Sequence, residues 1–430
     1  MRHAPISATL FCENRARLRQ RLTPNAVAFV NANDILPTNA DGTLRLVPNT
    51  DLFYLAGISQ EESLLVLYPD ADDPKYREML FLRETNDLIA TWEGHKLTKE
   101  EARKASGIAA VHWLSEFPAI FRRIMCEADH VYLNANEHKR AHCEVETREA
   151  RFVKRVIAEY PLHRYHRLAR ELHRLRSVKS DLEVQLIQSA CALTQRGFER
   201  VARFVRPEIN ELEIEAEFLH EFTRGGGSFA YSPIIASGVN ACVLHYLEND
   251  QPCRDGELVL LDVAAQLGQY QSDLTRTLPV NGRFTARQRQ VYDAVLRVLR
   301  GCCQSLVPGK RTRDWQREAE EMIERECVGL GLLTPAQIKD QNPDCPAYKE
   351  FFMHGVGHPI GLDVHDVGLT TEPMQEGWVM TVEPAIYLKK EGFAVRLEND
   401  ILIRAEGNLD LMADIPIEAE DVERLMASHR

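Results

Sequence analysis

Residues 351–366 read FFMHGVGHPIGLDVHD, and the way this stretch folds decides how the rest of the chain is read. His354, His358 and His365 stand among Gly355, Gly357 and Gly361, with Asp363 and Asp366 close by. His354 and His358 are spaced to share one face of a helix. Three glycines and Pro359 oppose that helix. A helical zinc motif also needs Glu directly after the first His, where this chain has Gly355. The glycines approximate a dinucleotide-binding G-x-G-x-x-G, but the last interval is one residue too long. The stretch is therefore predicted to be extended backbone and tight turns that bring imidazoles close to a ligand.

Outward from it, acids recur inside apolar strands. ELVLLDV (257–263) reads as a buried strand and YQSDLTRTL (270–278) as its returning partner. A turn at Leu267-Gly268 would set Asp262 directly opposite Asp273, with Cβ atoms roughly 4.5–5.5 Å apart. Carboxylates that close in apolar surroundings resist ionisation unless a cation lies between them, and a divalent metal would meet that need. The alternative is a slipped register with one Asp in the turn. WVMTVEP (378–384) carries Glu383 at the end of another apolar run, and FAVRLENDILI (393–403) carries Glu398 within a third. On a single strand Arg396 and Glu398 face the same side, so the guanidinium would steady the carboxylate. Either Glu alone could be an edge residue. Four acids and a histidine-rich loop in one half of the chain argue against coincidence.

The 430 residues suffice for two or three domains, and 44% hydrophobic with 27% charged residues is ordinary for a globular protein. A net charge of −12 argues against a broad nucleic-acid-binding face. No apolar run reaches the roughly 18–20 residues that span a bilayer. The opening MRHAPISATLFCENRARLRQRL has no signal-peptide h-region. Ten cysteines are scattered without C-x-x-C, which predicts reduced thiols and a cytoplasmic protein.

Residues 1–172 alternate helix-like and strand-like pieces: a basic helix at Asn14–Leu22, strands at Ala26–Val30, Leu52–Ala56 and Ser63–Tyr68, and helices at Glu100–Ala105 and Leu114–Cys126. Trp92 reads as local packing within a polar loop. An Arg-, His- and Leu-rich connecting helix at 165–176 leads to a boundary near residue 173. A helix then opens at Ser180 with Glu183 completing a capping box, its apolar face being Leu182, Leu186, Ala190 and Leu193. A second opens at Asn210 with Glu213 and stops at Gly225-Gly226-Gly227. The fold class is α/β (α+β): a smaller α/β N-terminal domain, 1–172, before a catalytic domain, 173–430.

The chain resembles the metal-dependent peptidases of the creatinase/methionine aminopeptidase, or pita-bread, fold, and among them the Xaa-Pro aminopeptidases (aminopeptidase P). The resemblance runs through LHYLEND (244–250), LLDVAAQLGQYQSDLTRTLPVNGRF (260–284), HGVGHPIGLDVHDVG (354–368), VEPAIY (382–387) and RLEND (396–400), and more weakly through NTDLFYLAGI (49–58). It implies metal ligands at Asp262, Asp273, His358, Glu383 and Glu398, with Asp273 and Glu398 bridging two ions. Such an oxygen-rich set suits Mn²⁺, with Co²⁺ or Zn²⁺ as substitutes. It further implies a bridging hydroxide as nucleophile, with Glu383 taking part in proton transfer. His245 and His365 become outer-sphere groups, and His354 a wall of the proline pocket. Tyr387, Arg396 and Trp92 join them as substrate-binding candidates.

The implied reaction is release of the N-terminal residue from peptides with proline second. Prolidase action on Xaa-Pro dipeptides is the alternative, and a non-catalytic binding protein a more distant one. The implied partners are Xaa-Pro peptides and copies of the chain itself in a dimer or tetramer, without nucleic acid or membrane. Ala264 replaces a Gly common in relatives, no arginine lies between His365 and Glu383, and the Tyr387–Arg396 connection is short. These departures bear on substrate length and subunit contacts and leave the implied ligands intact.

Overall fold

A computed structural model describes residues 4–428. It divides into two compact units, Ala4–Arg176 and the chain from Ser177 onward. The expected division after residue 172 falls within the helix Leu168–Ser177.

In the N-terminal unit β1 (Ala26–Asn31), β2 (Leu64–Leu67), β3 (Glu78–Leu82), β4 (Ala110–Trp113), β5 (His130–Leu133) and β6 (Arg164–Arg167) form one sheet in the order β4-β3-β2-β1-β5-β6. β1–β2 and β2–β3 are antiparallel, and the other pairs are parallel. The sheet buries Phe29 and Phe81 against Phe117, Phe121 and Phe152, whose rings meet mostly edge-on or tilted. Leu52–Ala56 is helix, not strand. Asn49 caps it by accepting from the Leu52 N–H at 2.9 Å, and Gly57 closes it at φ +66°. The run is buried on every side, so its apolar pattern carried no helical period to read. The first helix starts earlier than expected, at Ala8, and the connecting segment opens as β6 before turning helical.

In the second unit the helix Asp181–Phe204 begins with the expected Ser180–Glu183 capping box, and Glu211–Arg224 with the Asn210–Glu213 box. The buried face of the first helix lies slightly around from the expected one. Val184, Ile187 and Cys191 point inward with Ala190 and Leu193, while Leu182 and Leu186 are only half-buried.

Short antiparallel sheets follow. β8 (Ile234–Ser237), β9 (Leu258–Asp262) and β12 (Thr275–Pro279) form one, while β7 (Ser228–Phe229), β10 (Ala265–Leu267) and β11 (Tyr270–Gln271) form another. β13 (Val379–Val382), β16 (Asn399–Leu402) and β17 (Leu409–Asp410) make a third, and β14 (Ala385–Leu388) pairs with β15 (Phe393–Arg396). Helices Ala286–Ser305 and Thr312–Gly329 supply Val295, Trp315 and Ile323 to the core behind these strands.

Two strand expectations need correcting, and both corrections move site residues. The β10–β11 hairpin turns at Gly268-Gln269, both at positive φ (60° and 70°), so Leu267 faces Tyr270. Asp262 is thereby paired with Thr275, not Asp273. The slip is two residues, an even number, so Asp273 keeps the face it was expected to share with Asp262. FAVRLENDILI is two strands, β15 and β16, broken at Leu397-Glu398 where the chain leaves one sheet for another. At that break the Glu398 N–H donates to Thr275 O at 3.0 Å, which sets this acid beside β12.

The stretch 351–366 forms no helix after its first turn and docks on β13 through the Pro359–Met380 bridge. Gly357 is required there, because a Cβ would lie 2.0 Å from Thr381 O. Lys179, at the entry to the long helix, pairs with Asp366 at 2.9 Å, both side chains 1% exposed. Among the described residues no helix is long and apolar enough to cross a membrane.

Two stability outcomes follow. Lys179→Met leaves the Asp366 carboxylate buried beside an apolar chain and is expected to cost roughly 3–5 kcal/mol in denaturant unfolding. In the N-terminal unit, burial raises Glu149 to about 7 although it accepts two hydrogen bonds from Asn31. An acid raised in the folded state holds its proton there after the unfolded chain has lost it. Its contribution is therefore present near pH 4.5 and lost as pH climbs towards 7, by roughly 3 kcal/mol at 1.36 kcal/mol per unit. Unfolding free energies at pH 5 and pH 8 should show this slope in the parent and a shallower one in Glu149→Gln.

Candidate metal centre

The strand ends of the second unit converge on one group of acids. Asp262 closes β9, Asp273 sits between β11 and β12, Glu383 between β13 and β14, and Glu398 at the β15–β16 break. Asp273, His358 and Glu398 offer ligand atoms that all lie within 4.8 Å of one another. His358 Nε2 is 3.5 Å from Asp273 Oδ2 and 3.8 Å from Glu383 Oε1. Tyr231 Oη lies 2.6 Å from both Asp262 Oδ1 and Asp273 Oδ1. The five residues expected from the resemblance are thus brought together.

Their charge is poorly compensated. Burial, followed by the neighbouring carboxylates, holds Asp273 far above the usual carboxylate range and raises Glu398 to about 8. Asp400, fully buried behind them, is raised in the same way and accepts from the Asp273 N–H at 3.0 Å. The Tyr231 hydroxyl has one hydrogen for two carboxylates. The His358 ring places its Nδ1–H on Pro359 O at 3.0 Å and turns Nε2 towards the acids. Carboxylates driven to protonate and an imidazole nitrogen aimed at them are what a divalent cation would satisfy. The donor set fits one.

Arg396 does not hold Glu398 directly, because the strand break removes them from a common face. Its Nη2 donates to Asp262 Oδ2 at 2.6 Å, its Nη1 to Tyr387 Oη at 2.8 Å and its Nε to Thr275 Oγ1 at 3.2 Å. Thr275 in turn donates to Glu398 Oε2 at 2.7 Å. Thr275, Tyr231 and Asp400 were not singled out from the sequence. A threonine in a strand and a tyrosine before Ser-Pro carry no pattern that marks them. Asp400 could have been found as a second acid in an apolar strand.

Among the outer histidines, His354 Nδ1 faces Gly355 O at 2.8 Å and must carry the hydrogen, so Nε2 accepts from Tyr387 Oη at 2.8 Å. Burial, reinforced by Arg396, lowers His354 to about 4. Both its nitrogens are engaged, and what it offers a ligand is the ring. His365 stands edge-on to His358 with ring centroids 4.2 Å apart. His245 is exposed and close enough to His354 to add to its depression. Trp92 belongs to the N-terminal unit, on the helix Asp87–Glu93. At 82% exposure it is not the locally packed residue expected.

Comparison with known proteins agrees with this geometry. Residues 185–405 match the model of metallopeptidase family M24, and residues 11–132 that of the aminopeptidase P N-terminal domain. The Xaa-Pro aminopeptidase of Haemophilus influenzae is 33% identical over 97% of this chain and 96% of its own length. A zinc-substituted Escherichia coli aminopeptidase P in complex with product superposes with a TM-score of 0.88 at 30% identity, covering 99% of this chain and all of that one. Pseudomonas aeruginosa aminopeptidase PepP superposes with a TM-score of 0.89 at 29% identity over 100% of this chain and 99% of its own. The chain belongs to metallopeptidase family M24, in its aminopeptidase P branch.

Chelator-treated protein is expected to gain several degrees in Tm on adding Mn²⁺, Co²⁺ or Zn²⁺, because a ligand bound to the folded state alone stabilises it. Asp273→Asn should abolish most of the gain. An equal rise in both proteins would place the ions elsewhere.

Proposed function

We propose that this chain removes the N-terminal residue from peptides whose second residue is proline. The observation that carries the reading is the meeting of Asp262, Asp273, His358, Glu383 and Glu398 in one group, beside a neutral imidazole and a buried guanidinium. These five residues would hold two divalent ions, and the hard donor set favours Mn²⁺. When bound, the ions supply Lewis-acid polarisation of the scissile carbonyl and lower the pKa of water.

The protein's own groups do the rest. Glu383, half-buried and 3.8 Å from both His354 and His358, is placed to take the proton of the attacking water. The leaving group is a secondary amine and departs only once protonated. His245 and His365, exposed imidazoles on two different loops, are the groups that can deliver that proton and steady the developing oxyanion. Arg396, Tyr387 and His354 form a directed chain of hydrogen bonds that fixes the His354 ring. An Xaa-Pro bond has no N–H, so a wall that offers a ring face in place of an acceptor loses nothing against proline and gains by shape.

Ten free thiols fit a reducing compartment, and the cytoplasm is the proposed location. A homodimer or homotetramer is the proposed assembly, on the family resemblance.

The test is a paired hydrolysis assay on Mn²⁺-loaded protein with an Xaa-Pro-Yaa-Zaa peptide and an Xaa-Pro dipeptide. Release of Xaa from the longer peptide is expected, and its loss in Asp273→Ala. Cleavage of the dipeptide alone would make the enzyme a prolidase, and cleavage of neither would overturn the peptidase reading.

A further inference from the structure

His245 lies in a segment, Val243–Asp250, that contains no helix or strand and exposes Val243, Leu247 and Glu248 along with the histidine. A side chain that must reach a reacting nitrogen cannot be left on a freely moving loop, since about 1 Å of misplacement can cost on the order of 100-fold. The adjacent residue shows how it is held. Tyr246 is 8% exposed and points inward, and its hydroxyl donates to Glu211 Oε2 at 2.9 Å. The same carboxylate oxygen accepts from the Gln251 N–H at 3.0 Å. The other oxygen accepts from both the N–H and the hydroxyl of Ser237, each at 2.7 Å. Ser237 and Gln251 are the two ends of the excursion that leaves β8 and carries His245. One fully buried carboxylate therefore closes the loop at both ends and holds its middle.

Glu211 occupies the first turn of the helix Glu211–Arg224, where the helix dipole favours its charge. Its backbone N–H donates to Gln251 O at 3.0 Å. Asn249, at φ +49°, braces the loop a second time. Its Oδ1 accepts from the Ile235 N–H at 3.0 Å, and its Nδ2 donates to Pro233 O and to Glu215 Oε2. The loop is thus pinned at 246, 249 and 251, while His245 is left to face outward.

We propose that Glu211, acting through Tyr246, is a positioning residue that sets the orientation of His245 for protonation of the leaving nitrogen. This rests on the peptidase reading above. Glu211 touches neither the acids nor any proposed ligand, so its effect has to pass through the loop.

The experiment is a cycle of Tyr246→Phe, His245→Ala and the double variant, with kcat and KM measured on one Xaa-Pro tetrapeptide. Tyr246→Phe removes a single oxygen and should lower kcat about 10- to 100-fold with little change in KM. In the His245→Ala background the same change should cost less than about 2-fold, because the group being positioned is gone. Equal losses in both backgrounds, or no loss in the parent, would overturn the proposal. Amide exchange provides a readout independent of turnover: Glu211→Gln should speed exchange over residues 243–250 by about 10-fold or more while leaving the β9–β12 ladder protected. Unchanged protection of the loop would overturn the clamp. Faster loop exchange in Glu211→Gln together with a parent protein that cleaves no Xaa-Pro peptide would overturn the peptidase reading, and with it the role given to His245, while leaving the clamp itself standing.

Discussion

Negative charge held inside apolar strands is the constraint around which the second unit is arranged. Asp273, Glu398 and Asp400 stand where β9, β12 and β16 bury their neighbours, and each is pushed towards its protonated form by the very packing that forms the core. No fold gathers such groups for stability, since buried like charges cost more than apolar residues of the same size. The arrangement makes sense as a site that accepts cations. Around it the fold spends polar groups freely. Arg396 neutralises Asp262, Thr275 donates to Glu398, and the backbone of Asp273 rests on Asp400.

The histidines divide by what their second nitrogen does. His358 and His354 both give Nδ1–H to a backbone carbonyl on the residue next along the chain. In His358 this frees Nε2 to face the acids. In His354 the Tyr387 hydroxyl takes up Nε2, so what the residue turns to a ligand is the face of its ring. Two residues four apart in one glycine-rich stretch thus have opposite chemistry, and the difference is made by a tyrosine 33 residues away from one of them. His245 and His365 differ from these two in being exposed.

Much of this was legible in the sequence, and the places where reading failed share a cause. Acids set in apolar runs, Asp262, Asp273, Glu383 and Glu398, stand out because their burial is costly. The capping boxes at Ser180 and Asn210 stand out because they satisfy a local rule. What could not be read depended on partners distant in the chain. LFYLA looked like a strand because full burial erases the period that separates helix from strand. The direction of Arg396 was misjudged because the break at Leu397-Glu398 comes from two sheets competing for one segment, which no local propensity encodes. Tyr231 and Thr275 act through a hydroxyl, and nothing local distinguishes theirs from those of structural residues.

The two-residue turn at Gly268-Gln269 carries a consequence for how this chain can vary. Asp262 and Asp273 stand on either side of it, and their shared face depends on the parity of the residues between them. A single insertion or deletion in that hairpin would rotate one acid out of the site while leaving both strands, their hydrophobicity and their pairing nearly intact. Length changes there are tolerable in twos, or where a bulge absorbs the odd residue. Lineages descended from this chain are therefore held at the hairpin tip to residues that tolerate positive φ, and can lengthen it only in even steps or with a bulge that takes up the odd residue.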